Sequence, residues 1–193
     1  MYRANADRKK SQHAFTDYHA YLESLQMKGT ILPFDEMSLN RVAQLSNKSN
    51  QFNLTTRRYT RDEMEMRAED EAYITLYGKL EDKFGDNGIV SVVIGKRAQE
   101  ECHVELWIMS CRVLKRDMEY AMLDSLVETC QNKGIKKIRG FYYPTAKNVI
   151  VKDFYGEMGF SQVACDADGN SEWELDITSV WKKKNDVICV NEE

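Results

Sequence analysis

The sequence predicts an α/β domain, α+β in character, built on one central mixed β-sheet flanked by helices, with a helical arm at its N-terminus. Three observations predict it. Between residues 72 and 113, short apolar runs alternate with period two and are rich in β-branched and aromatic residues. From 116 the apolar spacing changes to the three-and-four repeat of a helix. Beyond 135, strand-like runs resume around a second helical pattern and glycine-bearing turns.

The elements follow in order. Phe15, Tyr18, Tyr21, Leu22 and Leu25 share one face of a helix over 8–25, and 30–33 reads as a short strand. Asp35 or Ser38 is placed to cap a second helix that carries Leu39, Val42, Ala43 and Leu45. Residues 46–58 are polar and show no period. Thr60 with Glu63 three residues on forms a capping box for a helix over 61–69. Strands are expected at 72–78 and 89–94, joined through the Asn87-Gly88 turn signal, and at 104–113. A helix opens at Arg116, buries Met118, Ala121, Met122, Leu126 and Val127, and closes at Lys133-Gly134. A strand at 135–143, a helix at 149–158 stopped by Gly159, and strands at 160–164 and 171–177 complete the pattern. The tail from Lys182 is charged and is expected to fray.

Composition excludes several classes. A net charge of −4 gives no general nucleic-acid footprint. No apolar run approaches the roughly 20 residues that cross a bilayer, and the polar start lacks a signal-peptide core, so a cytoplasmic protein is expected. Five cysteines, with no C-x-x-C pair, read as reduced thiols. His13, His19 and His103 are too scattered for a metal site, and no metal is expected.

Two segments resemble motifs of the GNAT acyltransferases. Residues 145–148 (TAKN) followed by 154–160 (FYGEMGF) resemble the late motif in which an Asn precedes F-Y-x-x-x-G-F. Residues 113–121 (VLKRDMEYA) resemble the pyrophosphate loop R-x-x-G-x-G/A, except that Glu119 stands at the central glycine. A carboxylate there repels a diphosphate and blocks close backbone approach. A narrower resemblance covers nearly the whole chain. Residues 41–60 (RVAQLSNKSNQFNLTTRRYT), 84–90 (FGDNGIV), 109–113 (MSCRV) and 144–148 (PTAKN) are similar to the C-terminal GNAT-like domain of the FkbH-like proteins.

That resemblance implies a GNAT fold and movement of a glyceryl unit from a phosphorylated glycerate to a carrier-protein thiol, in polyketide or secondary-metabolite biosynthesis. It implies an acyl carrier protein and a phosphatase-like domain of the HAD class as partners. No tightly bound cofactor is implied beyond CoA or a phosphopantetheine arm. The expected division is a helical arm or linker at 1–28, a GNAT-like domain at 29–181 and a charged tail at 182–193.

The candidate residues follow from chemistry and resemblance together. Cys111 is followed by Arg112 and lies near a helix start, a setting that favours thiolate; it is either an acyl-carrying nucleophile or a small residue packed in the sheet. Tyr155 matches the GNAT tyrosine that protonates a departing thiolate, and equally suits packing of helix on sheet. Asn47, Lys48, Asn50, Gln51, Asn53, Thr55, Thr56, Arg57 and Arg58 concentrate amides, hydroxyls and cations in a nonperiodic stretch suited to a polar or phosphorylated group. Arg112, Val113 and Arg116 at the pyrophosphate-loop segment, and Thr145, Lys147 and Asn148 of the late motif, are candidate substrate- or cofactor-binding residues, with Arg116 and the helix it opens expected to hold a phosphate. Two alternatives to acyl transfer stand beside it: a noncatalytic module that docks a carrier protein, and a conventional acetyl-CoA-dependent N-acetyltransferase.

Overall fold

The computed structural model describes residues 8, 11, 12 and 14–191, and gathers the strand-like runs into one eight-stranded mixed sheet ordered β6-β7-β5-β4-β3-β2-β1-β8. His13 and the first seven residues lie outside the described set. β2 (Tyr73–Asp82), β3 (Gly85–Ala98) and β4 (Glu101–Met109) form an antiparallel meander, and β1 (Met27–Leu32) pairs antiparallel with β2. β5 (Lys137–Tyr142) runs parallel to β4, and β7 (Ser171–Asp176) joins it to the edge strand β6 (Ser161–Cys165).

Alternation along the central strands buries both faces. Val92, Ile94, Leu106 and Ile108 pack beneath α2 (Glu36–Lys48) and α3 (Arg61–Glu69). Val90, Val93, Val104 and Trp107 belong to a larger core with α1 (Tyr18–Ser24), α4 (Met118–Asn132) and α5 (Phe154–Glu157). The Thr60/Glu63 capping box starts α3 where the sequence places it, and Asp35 forms one with Ser38 at α2. No helix among the described residues is long and apolar enough to cross a membrane.

Five expectations are corrected. The N-terminal helix is broken by Asp17, whose carboxylate accepts from the His19 and Ala20 N–H groups and so caps a separate α1. The β2–β3 turn falls at Lys83-Phe84 and not at Asn87-Gly88: Asp82 accepts from Phe84 N–H at 2.9 Å, and Gly85 takes φ 135°. β4 ends at Met109, because Ser110 N–H donates to Val90 O and the chain enters a 3-10 turn, Cys111–Val113. The helix at 149–158 is a 3-10 turn, Val149–Val151, followed by the single turn of α5; Gly159, at φ 87°, stops it. The charged tail is part of the fold. Asp124 on α4 accepts from Trp181 Nε1 at 2.7 Å and from the N–H groups of Lys184 and Asn185. The chain is thereby drawn across α4, Val187 and Ile188 are buried, and β8 (Ile188–Val190) adds to β1 in parallel.

Candidate functional site

β4 and β5 hydrogen-bond along only three residue pairs, from Glu101–Lys137 to His103–Arg139. Beyond them the register of β4 with β3 jumps from Gly95–Val104 to Ile94–Leu106, leaving Glu105 over as a β-bulge. Parallel strands that separate expose unpaired N–H and C=O groups, which need partners when buried. The chain supplies them from the segment after α2. Met109 N–H donates to Phe52 O at 3.2 Å, Leu54 N–H to Trp107 O at 3.3 Å, and Tyr143 N–H to Leu54 O at 2.9 Å. Phe52 and Leu54 are buried, and Phe52 meets Phe154 edge-on at 5.0 Å. A three-residue wedge thus joins β4 to the end of β5.

Asn148 latches the wedge. Its Oδ1 accepts from Thr145 N–H at 2.7 Å, the Thr145 hydroxyl at 3.0 Å and the Tyr142 hydroxyl at 3.4 Å. Its Nδ2 donates to Asn53 O at 2.9 Å and Tyr143 O at 3.0 Å. Fully buried and engaged at both ends, it has no capacity left for a ligand amide.

Beside the wedge, at the C-terminal ends of β4 and β5, lies a cleft of about 1030 Å³. Arg41, Leu45 and Lys48 of α2 form one wall, Asn50 and Gln51 the adjoining loop, Cys111 and Arg112 the 3-10 turn after β4, and Lys147, Val149 and Ile150 the far side. A neighbouring cleft of about 320 Å³ shares Ser49, Asn50, Ala146 and Lys147 with it and adds Asn53, Thr56, Arg58 and Thr145. Thr56 sits at φ 59°, strained for a β-branched residue; such strain concentrates at functional sites. Cys111 is an exposed free thiol at the first position of the 3-10 turn.

The structure therefore brings together Cys111, Arg112, Lys48, Asn50, Gln51 and Lys147 in the larger cleft, and Asn53, Thr56, Arg58 and Thr145 in the smaller. Other candidates serve the fold. Asn47 donates its amide to Ala43 O and Tyr59 O; Thr55 donates to Glu105 O at 2.7 Å; and Arg57 lies 3.5 Å from the Glu105 carboxylate. Arg58 ties its own loop, donating to Ser46 O, Asn47 O and the Asn50 side chain. Val113 is buried core.

Tyr155 is also core. It is 1% exposed, and its ring fills the space where Gly140 has no side chain: a Cβ there would lie 2.3 Å from Cε1. Phe154, Phe160 and Trp173 surround it, burial drives its phenol pKa upward, and it does not line the cleft. Arg41 is the residue that sequence reasoning missed. Its signal was a spacing of seven from Lys48, two turns along one helix face.

The N-terminus of α4 is sealed. Arg116 turns inward, donating to Asp82 at 3.1 Å and to Arg112 O at 3.0 Å, and Arg8 makes a two-pronged pair with the same carboxylate at 2.7 and 2.8 Å. The reading of Arg116 as a phosphate holder is corrected accordingly. Tyr18 donates its hydroxyl to Lys115 O at 2.6 Å, closing over the turn. Glu119 is largely buried and its Oε2 has no hydrogen-bond partner among the described residues. Burial, with the charges of Asp117 and Glu157 adding, pushes its carboxyl up to about 7. No group of three or more His, Cys, Asp or Glu among the described residues is arranged to hold a metal ion.

A mixed sheet that splays between two parallel strands, with the helix after the inner strand packed on its face, defines the class of fold. No family model and no curated protein sequence matches the chain. Solved structures do. The ribosomal-protein-S18-alanine N-acetyltransferase from Escherichia coli superposes with TM-score 0.58 at 13% identity, over 81% of this chain and 99% of that one. The GNAT domain of PAT from S. lividans gives 0.58 at 15%, over 76% and 89%. Spermidine N-acetyltransferase from Vibrio cholerae, in complex with CoA and spermine, gives 0.59 at 13%, over 79% and 96%. The chain has the GNAT acetyltransferase fold; the likeness is one of architecture and does not single out the FkbH-like proteins.

Proposed function

We propose that this chain is a cytoplasmic acyltransferase that moves a small, glyceryl-like acyl group to the phosphopantetheine thiol of an acyl carrier protein, with the Cys111 cleft as its site. The observation that carries the reading is an exposed thiol in a cleft walled by cations, on a fold shared with acetyltransferases. A thiolate is the nucleophile in such acyl transfer. The Cys111 sulfur attacks the acyl carbonyl of a phosphorylated donor, the carbonyl–oxygen bond breaks, and phosphate leaves with the electron pair. The arm thiol, its proton lost to solvent or to the released phosphate, then attacks the thioester, and Cys111 departs as thiolate. Asn50 and Gln51, which line the cleft, supply hydrogen bonds for the polar acyl group. A HAD-like phosphatase domain is the partner that would handle the phosphorylated donor.

A second reading, an acetyl-CoA-dependent N-acetyltransferase, is favoured by the spermidine enzyme among the structural neighbours. Intact-mass spectrometry after incubation with glyceryl and acyl donors, with and without a carrier protein, separates the readings. A donor-dependent adduct that is absent from Cys111→Ala is expected. Acetyl transfer from CoA to an amine, undiminished in Cys111→Ala, would displace the proposal.

A further inference from the structure

We infer that the chain takes the phosphate of its ligand on a cationic wall at the ends of β4 and β5, formed by Arg41, Lys48, Arg112 and Lys147, and not at the N-terminus of α4. The inference rests on the cleft proposed above as the site, and adds which wall reads the charge.

Acidic residues outnumber basic ones in this chain, 31 to 27, yet among the described residues four cations and no carboxylate line the cleft. Composition does not produce such a wall by default. Arg41 and Lys48 stand two turns apart on one face of α2, and Lys147 comes from the loop after β5. Lys48 lies in the last turn of α2, where it also offsets the partial negative charge of the helix end. Reading of an anion therefore falls most heavily on Arg41 and Lys147. The cleft, at about 1030 Å³, has room for an extended arm or a small acyl phosphate beside Cys111.

The alternative anion site fails on its own residues. A helix N-terminus binds a diphosphate when its N–H groups are open and its surroundings are not negative. Just before α4 the Tyr18 hydroxyl donates to Lys115 O, Arg116 is committed to Asp82, and the first turn carries the Glu119 carboxyl. Asp117, Glu157 and Asp186 add negative charge around it, the His19 ring lies 4.0 Å from Asp186, and Arg116 is the cation at the helix start. CoA, present in the spermidine N-acetyltransferase neighbour, carries a diphosphate for which this helix end offers no seat. A ligand with a single phosphate, brought by a thiol arm or by an acyl donor, fits the cationic wall instead.

Isothermal titration of the full chain at low salt tests this with paired probes: 4′-phosphopantetheine against pantetheine, and acetyl phosphate against acetate. In at least one pair the phosphorylated member should bind tenfold or more tightly, and the pair that shows the difference names the source of the phosphate. The preference should vanish in an Arg41→Ala/Lys147→Ala double variant with an unchanged thermal melt, and persist in Glu119→Gln. Equal binding within both pairs, no binding of any probe, a preference that survives the double variant, or one abolished by Glu119→Gln would each overturn the inference. A Cys111-dependent adduct in the mass experiment would stand through any of these outcomes, so the two readings fail separately.

Discussion

Within ten residues of the end of β4 the chain builds two sites of opposite character. Cys111 and Arg112 face an open, cation-walled cleft, whereas Arg116 to Glu119 are half-buried or buried, with Arg116 and Arg8 paired to Asp82 and Tyr18 bonded to Lys115 O. Both places are ends of regular elements, and either could in principle receive an anion. Side chains decide between them. Where charged groups are buried and paired, as at Asp82, they hold the fold; where they are exposed and share one sign, as Lys48 and Lys147 do, they can meet a ligand. Substitutions on the sealed side should therefore move stability, and those on the open side should move binding.

The largest effect is expected from Asp82→Ala. The Asp82 side chain is 0% exposed and is shared by Arg8 and Arg116, so removing it leaves two guanidinium groups, 5% and 11% exposed, without that counter-charge. Breaking such a pair costs about 3–5 kcal/mol, to be read as a lowered urea midpoint. The wild-type carboxyl also has a defined pH signature. Burial opposes its ionisation, but hydrogen bonds from Arg8 and Phe84 N–H, with the charges of both arginines, hold its pKa below the usual range. A depressed folded-state pKa contributes stability that is complete above the unfolded value, about 3.9, and is lost as pH falls through the folded one. The acid-unfolding limb of wild type should be steeper below pH 4 than that of Asp82→Asn.

Glu119→Gln tests the same side with the opposite sign. A carboxyl raised to about 7 binds its proton more tightly in the folded chain than in the unfolded one. Wild-type stability should therefore fall as pH rises from about 4.5 to about 7, by roughly 2–3 kcal/mol, and stay low above that. The glutamine variant should lose this slope and be the more stable protein at pH 8. A wild-type melting temperature that is flat across the interval would show that Glu119 is not buried as described.

The contrast also explains what the sequence could and could not show. α3 is legible to the residue because Thr60 and Glu63 are its own local partners. The strands of the meander are legible because their β-branched and apolar runs are the segments buried between the two helical layers. The Lys83-Phe84 turn is not, since Asp82 directs it while held by Arg8 and Arg116, 74 and 34 residues away in sequence. β8 has only three residues and exists because Asp124 anchors the chain before it. At the site, Cys111, Lys48 and Lys147 stood out by type and by resemblance. The inward fates of Tyr155 and Asn148 depend on Gly140 and on the wedge at Asn53, contacts that no local pattern encodes.

Lys147→Ala should have the smallest effect on the fold. The side chain is exposed, stands between the two clefts and makes no hydrogen bond or ion pair among the described residues, although its backbone N–H donates to the Thr145 hydroxyl at 3.3 Å. Surface substitutions of this kind change stability by about 0.5 kcal/mol or less. Losing one cation of four should nevertheless weaken phosphorylated probes measurably, and Lys147→Arg should restore much of the binding because it restores the charge. The urea midpoint and the titration together make the check. A variant destabilised as strongly as Asp82→Ala would place Lys147 with the sealed side, and would mean that exposure does not separate the charges that hold this fold from those that meet its ligand.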